Sequence, residues 1–219
     1  IGSRHRTDDT GKAFAMPDTL VLPRGRRLNA AAFKAEFAER FWNIREHDFW
    51  KLERQQTFTE PGDASWEAFR AGDWNTALHL MEARRAEYED DARRMREVGL
   101  TSYRVRVIET PLAPYLQWEL HLLRLMGTIS DRIRVIDVSL VRTHESHGAL
   151  PELVCLGPDL TFEVRYNEKN GAVDGAIRHT GTDLTSTCRR LIQTLYEAGE
   201  DVVTYVDREV APLPPPAAF

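Results

Sequence analysis

The sequence is poor in lysine, in cysteine and in long hydrophobic runs, and each shortage excludes something. Lysine occurs only at Lys12, Lys34, Lys51 and Lys169, so 25 of the 29 basic residues are arginine. A GC-rich genome accounts for that bias more simply than phosphate recognition does, because the arginines are interspersed with acids. With 34 acidic residues the formal charge is −5, which argues against a protein that holds nucleic acid through bulk charge. Nucleic acid is thus an unfavoured partner, left only to a local basic patch. Cys155 and Cys188 allow at most one disulfide in a chain of 219 residues that has core enough without one. A reducing cytoplasm is the expected location. No apolar stretch approaches the roughly 20 residues of a bilayer span, so no membrane partner is expected.

The common chemical signatures are missing as well. There is no Walker-A loop, no dinucleotide glycine fingerprint, no HExxH helix and no nucleophile elbow. None of the seven histidines is followed two residues later by lysine. No cofactor is expected. His144 and His147 flank Glu145 and Ser146 in an irregular stretch and are weak metal candidates that lack an evident third ligand.

What is present patterns as an α+β protein. Residues 1–27 carry scattered Gly and Pro without periodicity and read as a flexible tail, in which Met16 marks a natural start and residues 1–15 precede it. Residues 28–211 read as a single domain. The prolines from Pro212 onward form a closing tail over 212–219. Within the domain, Asn29 caps a helix to Ile44 with Phe33, Phe37 and Phe41 on one face and Trp42 on the other. A strand is predicted over Phe49–Phe58, a short helix over Ala64–Phe69 and one long helix from the Asp73 cap to Gly99.

The middle of the chain predicts a β-α-β crossover: strand Tyr103–Glu109, a helix capped by Thr110 with Pro111 in its first turn and running to Met126, then strand Ile133–Val138. Short strands at Leu153–Leu156, Leu160–Tyr166 and Ala172–Arg178 make a C-terminal antiparallel meander. Thr180 or Thr182 caps a last long helix that Gly199 ends, and a short helix covers Glu200–Val210. The expected sheet is mixed, has about six strands and carries its helices mainly on one face.

Two constellations stand out. At about 100° per residue, Leu112, Tyr115, Leu116, Leu120 and Leu123 spread over an apolar arc with Glu119 near its middle. A carboxylate there is paired, protonated or faces a cavity. By the same projection Arg85 enters the apolar stripe of the long helix. Arg85 and Glu119 then form a buried ion pair that docks two helices, or line a pocket with Tyr115 in which Glu119 binds an amine or acts as acid or base, or else the helix is rotated from this projection and Glu119 is solvated. The second constellation is on strands: Arg104 and Arg106 share one face of their strand, and Arg132 and Arg134 share one face of theirs. On one sheet face the four would hold a phosphate-bearing or other small anionic ligand, or single-stranded nucleic acid. The alternative is a solvated face neutralised by Glu53 and Glu163.

The segment SYRVRVIETPLAPYLQWELHLLRL, Ser102 to Leu125, resembles an actinobacterial protein family of unknown function whose members often neighbour Xre-type helix-turn-helix regulators. LPELVCLGPDLTFEVRYNEKNGAVDGAIR, Leu150 to Arg178, resembles the hairpin region of the same family. The resemblance extends from about Asn29 to Pro212, implies an α+β sheet protein and highlights Pro111, Tyr115, Leu116 and Glu119. It names no reaction, and the Asp73–Gly99 helix departs from its general pattern. Two expectations follow. One is a non-enzymatic regulatory or ligand-sensing protein acting with a DNA-binding partner, with a homodimer left open. The other is a small transferase-type enzyme of specialised metabolism using Glu119 and the arginine cluster, with a nucleotide or single-strand binder as a third reading.

Overall fold

A computed structural model describes residues 20–217. Most of the expected N-terminal tail, including Met16, lies outside them. In chain order the elements are β1 (Arg26–Asn29), α1 (Ala30–Trp42), β2 (Phe49–Glu53), α2 (Ala64–Arg70), α3 (Trp74–Ala83) and α4 (Arg85–Glu97). Then come β3 (Ser102–Ile108), α5 (Pro114–Ile129), β4 (Arg132–Asp137), α6 (Val138–Val141), β5 (Glu152–Leu156), β6 (Leu160–Tyr166) and β7 (Val173–Thr180). The chain closes with α7 (Thr182–Ala198), β8 (Glu200–Asp201), α8 (Val202–Tyr205) and a wide π turn over Val206–Val210. No helix among the described residues is long and apolar enough to cross a membrane.

The strands form one mixed sheet in the order β1-β7-β6-β5-β2-β3-β4-β8. β2, β3 and β4 run parallel and the other pairings are antiparallel. All six expected strands are there, including the crossover through α5 and the meander β5-β6-β7. The sheet has eight strands because β1 and β8, only four and two residues long, add one at each edge. Segments that short carry too little alternation to stand out in a sequence. β1 also corrects the tail, since Arg26 and Arg27 pair with β7 and Leu20 and Leu22 pack against the core.

Both faces of the sheet are covered. On one, the 17-residue α7 lays Cys188, Leu191, Ile192 and Leu195 over Trp50, Leu52, Val105, Val107 and Leu153. On the other, α1 sets Phe33 against Phe162 and Val154, and α5 with α8 sets Leu116, Leu120 and Val202 against Ile133 and Val135. The helices α2 and α3 join that layer through Trp66, Phe69 and Met81 against Tyr115 and Trp118. Most helices share one face, as expected, but the longest occupies the other. Trp42 is covered by the same layer, edge-on to Phe41 and under the Arg94 guanidinium at 3.8 Å.

Several boundaries move for local reasons. β2 ends at Glu53 because the amides of Arg54 and Gln55 both donate to Glu152 Oε1, at 2.6 Å each, and leave the ladder. The expected Asp73–Gly99 helix breaks at Arg84, a non-helical junction between α3 and α4. α5 starts at Pro114, which suits a first helical position as well as Pro111 does, and Ala113 caps it without a side-chain bond. Neither Thr180 nor Thr182 caps α7. Gly181 holds the cap position at φ 134°, a backbone closed to other residues. The proline-rich end is tied down by Gln117 Nε2, which donates to the Pro214 carbonyl at 2.7 Å.

Gly175 fixes the β1 edge. It sits at φ 133°, and a Cβ there would lie 2.0 Å from the Leu28 carbonyl oxygen. Gly175→Ala is expected to push β1 off β7 and lower stability by roughly 2 kcal/mol or more. Chemical denaturation together with hydrogen exchange at Leu28 and Ala176 checks this, and an unchanged midpoint would refute it.

Candidate functional site

Strand pairing decides which charges meet. Lys51 pairs with Arg104 and Glu53 with Arg106, so these four side chains share one face of β2 and β3. α5 crosses that face with Glu119 pointing down. Arg106 is fully buried, and its Nε donates to Glu119 Oε2 at 2.7 Å. Its Nη1 donates to the carbonyls of Glu53 and Val107 at 3.3 and 3.2 Å, and the Phe58 ring lies 5.5 Å from its guanidinium carbon. The Tyr115 hydroxyl faces Glu60 Oε1 at 3.0 Å and Glu119 Oε1 at 3.4 Å. Glu53 accepts from Lys51 Nζ at 2.5 Å and from Arg104 Nη1 at 3.2 Å.

This arrangement drives the carboxyls apart. Burial pushes Glu53 upward, but Arg104, Lys51 and Arg106 outweigh it and hold its pKa at about 2. Glu119 is raised, first by burial and then by the charge of Glu53, against the pull of Arg106. Glu152, at the start of β5, is pushed up to about 7 by burial and by Glu53, although two backbone amides bind its Oε1. The interior thus holds one firmly ionised carboxylate, Glu53, near two whose pKa values are raised, of which Glu119 is paired with Arg106.

The expected site is only partly assembled. Arg104, Arg106, Tyr115 and Glu119 do come together. Arg85 does not join them. It lies on the surface just past the α3–α4 break, and its Nη2 donates to Glu82 at 3.1 Å. Projecting residues 74–99 as one helix carried Arg85 across that break, and the partner of Glu119 is Arg106 instead.

The four-arginine face is likewise overturned. Arg132 pairs with Tyr103 and Arg134 with Val105, so both lie on the α7 face, opposite Arg104 and Arg106. There Arg132 stands over the Tyr103 ring at 5.6 Å and Arg134 over Tyr196 at 4.5 Å. Nor is the Arg104 face solvated. Glu53 neutralises it as expected, whereas Glu163 lies on the α7 face and pairs with Arg165 at 2.9 Å. His144 ends a 3-10 turn, and Glu145 beside it binds Arg54 and the Leu150 amide. Among the described residues no three His, Cys, Asp or Glu side chains are grouped to hold a metal ion. Cys155 and Cys188 are both buried free thiols, raised by burial to about 12 and about 11 and so inert at neutral pH.

Sequence reasoning passed over Lys51, Glu60, Glu152 and Tyr166 as site residues. The alternation that singled out Arg104 and Arg106 also places Lys51 and Glu53 on one face of β2, so that signal was available. The others come from separate elements and had none.

A cavity of about 270 Å³ opens above Lys51 and Arg104. Phe33 and Phe37 of α1 form its roof, and Phe49, Val154, Val164, Tyr166 and Val173 form its walls. Its charged lining residues are Lys34, Lys51 and Arg104, with no acid among them. A neighbouring cavity of about 190 Å³ shares Phe37, Phe49 and Arg104 but is also lined by Asp91 and Asp131. Two others are of about 420 Å³, beside Trp66 and Arg70 with Phe58 separating it from Arg106, and of about 410 Å³, beside Trp50 and Arg189. Glu119, Arg106 and Tyr115 line none of the four.

Residues 35–207 match the model of a domain of unknown function, DUF6879. The chain belongs to that family. The match takes in α2 to α4, every strand of the sheet except β1, and both sides of the buried charge cluster. A search of curated proteins finds no match.

Two stability effects follow from the DUF6879 interior. Glu119→Gln leaves the Arg106 guanidinium buried without its counter-charge and is expected to cost about 3–5 kcal/mol, whereas Arg106→Met with Glu119→Leu should recover much of that loss. Urea melts of the three proteins measure it, and equal stability of Glu119→Gln and wild type would show the pair to be dispensable. Glu152 has a folded-state pKa above its ordinary 4.5, so its contribution is fully present below pH 4.5 and is lost as pH rises through about 7. Glu152→Gln keeps the acceptor and cannot ionise. Its stability relative to wild type should therefore rise by about 1–3 kcal/mol between pH 5 and pH 8. Paired melts at those two values are the check.

Proposed function

We propose that this DUF6879 protein is a non-enzymatic, ligand-sensing regulatory module that takes a small anion in the cavity above Lys51 and Arg104. The observation that carries the reading is the sorting of charge. Every charged residue lining that cavity is cationic, while the two raised carboxyls with acid–base potential are buried away from it, Glu119 on Arg106 and Glu152 on the amides of Arg54 and Gln55. A transferase would need its base within reach of a substrate, and Glu119 lines none of the four cavities. A single-strand binder would need its arginines and aromatics on one open surface, whereas here they are divided between two covered faces.

The DNA-binding partner comes from the resemblance to proteins that neighbour Xre-type regulators. In that scheme the anion sets the occupancy of the cavity, and α1, which supplies its roof, presents the change at the surface. Residues of α1 such as Lys34 are exposed and available to a partner.

Thermal unfolding of the full chain against a panel of nucleotides, acyl carriers, amines and simple anions tests the proposal. At least one anion should raise the midpoint, and the same shift should persist in Glu119→Gln measured from its own lower baseline. A ligand shift present in wild type and absent from a stably folded Glu119→Gln would move the site to Glu119 and favour the enzyme.

A further inference from the structure

The lining of the cavity narrows the anion to one class. We infer that it binds a monocarboxylate with a compact apolar body, the carboxylate on Lys51 and Arg104 and the body between α1 and the sheet. This rests on the ligand-sensing reading above.

The charge arithmetic at the floor comes first. Lys51 and Arg104 both bind the one carboxylate of Glu53, through a single bond each. Lys51 keeps further N–H donors, and Arg104 bonds Glu53 through Nη1 alone, its unpartnered Nε being closed off from solvent. Two cations on one anion leave about one positive charge at the floor, and Lys34 adds another at the exposed rim. Asp131, which lines the neighbouring cavity, also acts on Arg104 and offsets part of that charge, so Lys51 and the exposed Lys34 supply most of the excess. A single negative charge with two acceptor oxygens matches the remaining donors of an ammonium and a guanidinium.

The walls then exclude more polar anions. Phe33, Phe37, Val154 and Val164 offer no hydrogen bonds, so a phosphate dianion would leave its water for a floor that can satisfy only part of its oxygens. An aromatic ring or a short alkyl chain instead gains the apolar contact and places its carboxylate where the donors are. At about 270 Å³ the space falls below the roughly 300–1,000 Å³ of drug-sized sites, which sets the ligand's size near an arylacetic or medium-chain alkanoic acid. The Tyr166 ring on the wall adds a face for edge or stacked contact with such a body.

The experiment compares phenylacetate and octanoate with phenylacetamide, octanamide, inorganic phosphate and adenosine monophosphate, by thermal unfolding and isothermal titration on the full chain. Wild type, Lys34→Ala and Val173→Trp are each measured. One or both carboxylates should bind, with the matching amide weaker by about tenfold or more, because it loses the charge-assisted bonds at the floor. Val173→Trp fills the cavity and should abolish binding, while Lys34→Ala, a change at an exposed position, should weaken it several-fold and serves if Val173→Trp does not fold. Carboxylate binding unaltered in a folded Val173→Trp and in Lys34→Ala would place the ligand elsewhere and overturn the inference. Binding of phosphate or the nucleotide with both carboxylates silent would overturn it too, yet leave the anion-sensing reading standing. If none of these anions binds, both fall.

Discussion

A guanidinium with no exposure at all dictates how this molecule is put together. Arg106 lies in the middle of a sheet covered on both faces, where an ion alone would cost several kcal/mol. Its charge is met by Glu119 at 2.7 Å and by two backbone carbonyls, which requires α5 to cross β3 at one position and one rotation. Once α5 is so placed, Tyr115 one turn earlier reaches Glu60, and Trp118 donates to Ser65 of α2 at 3.0 Å. The layer of α2 and α3 is thereby docked onto α5 through polar as well as apolar contacts.

The same interior explains why the cavity is cationic. Glu53 compensates both Lys51 and Arg104, and its low pKa keeps it ionised throughout the neutral range. Glu119 is held by Arg106 and is not free to help. The excess of positive charge therefore collects at the end of the cluster nearest α1, where the roof of Phe33 and Phe37 leaves a space that the neighbouring helices do not fill. The carboxylates that make the core tolerable thus lie below and beside the cavity, and none of them lines it.

Much of the architecture was legible in the sequence. Six strands, the crossover and the amphipathic α5 and α7 all follow from periodicities of two and of 3.6, and Glu119 stood out as a charge on an apolar arc. Arg85 was misplaced because a helical projection assumes one unbroken axis, and Arg84 breaks it. The arginines of β4 were misplaced for a different reason. When a sheet is covered on one side only, the apolar set of every strand must face that side. Here Val105 and Val107 pack under α7, while Ile133 and Val135 on the next strand pack under α5. Alternation alone cannot distinguish these choices.

What the sequence determined, then, is local: where the helices and main strands lie, which residues of each are apolar, and that a buried carboxylate on α5 needs a partner. The tertiary structure alone decided which partner it has, which sheet face each arginine occupies, and where a cavity is left. Those outcomes depend on strand register and helix docking, set by contacts between residues far apart in the chain, and no single segment contains them.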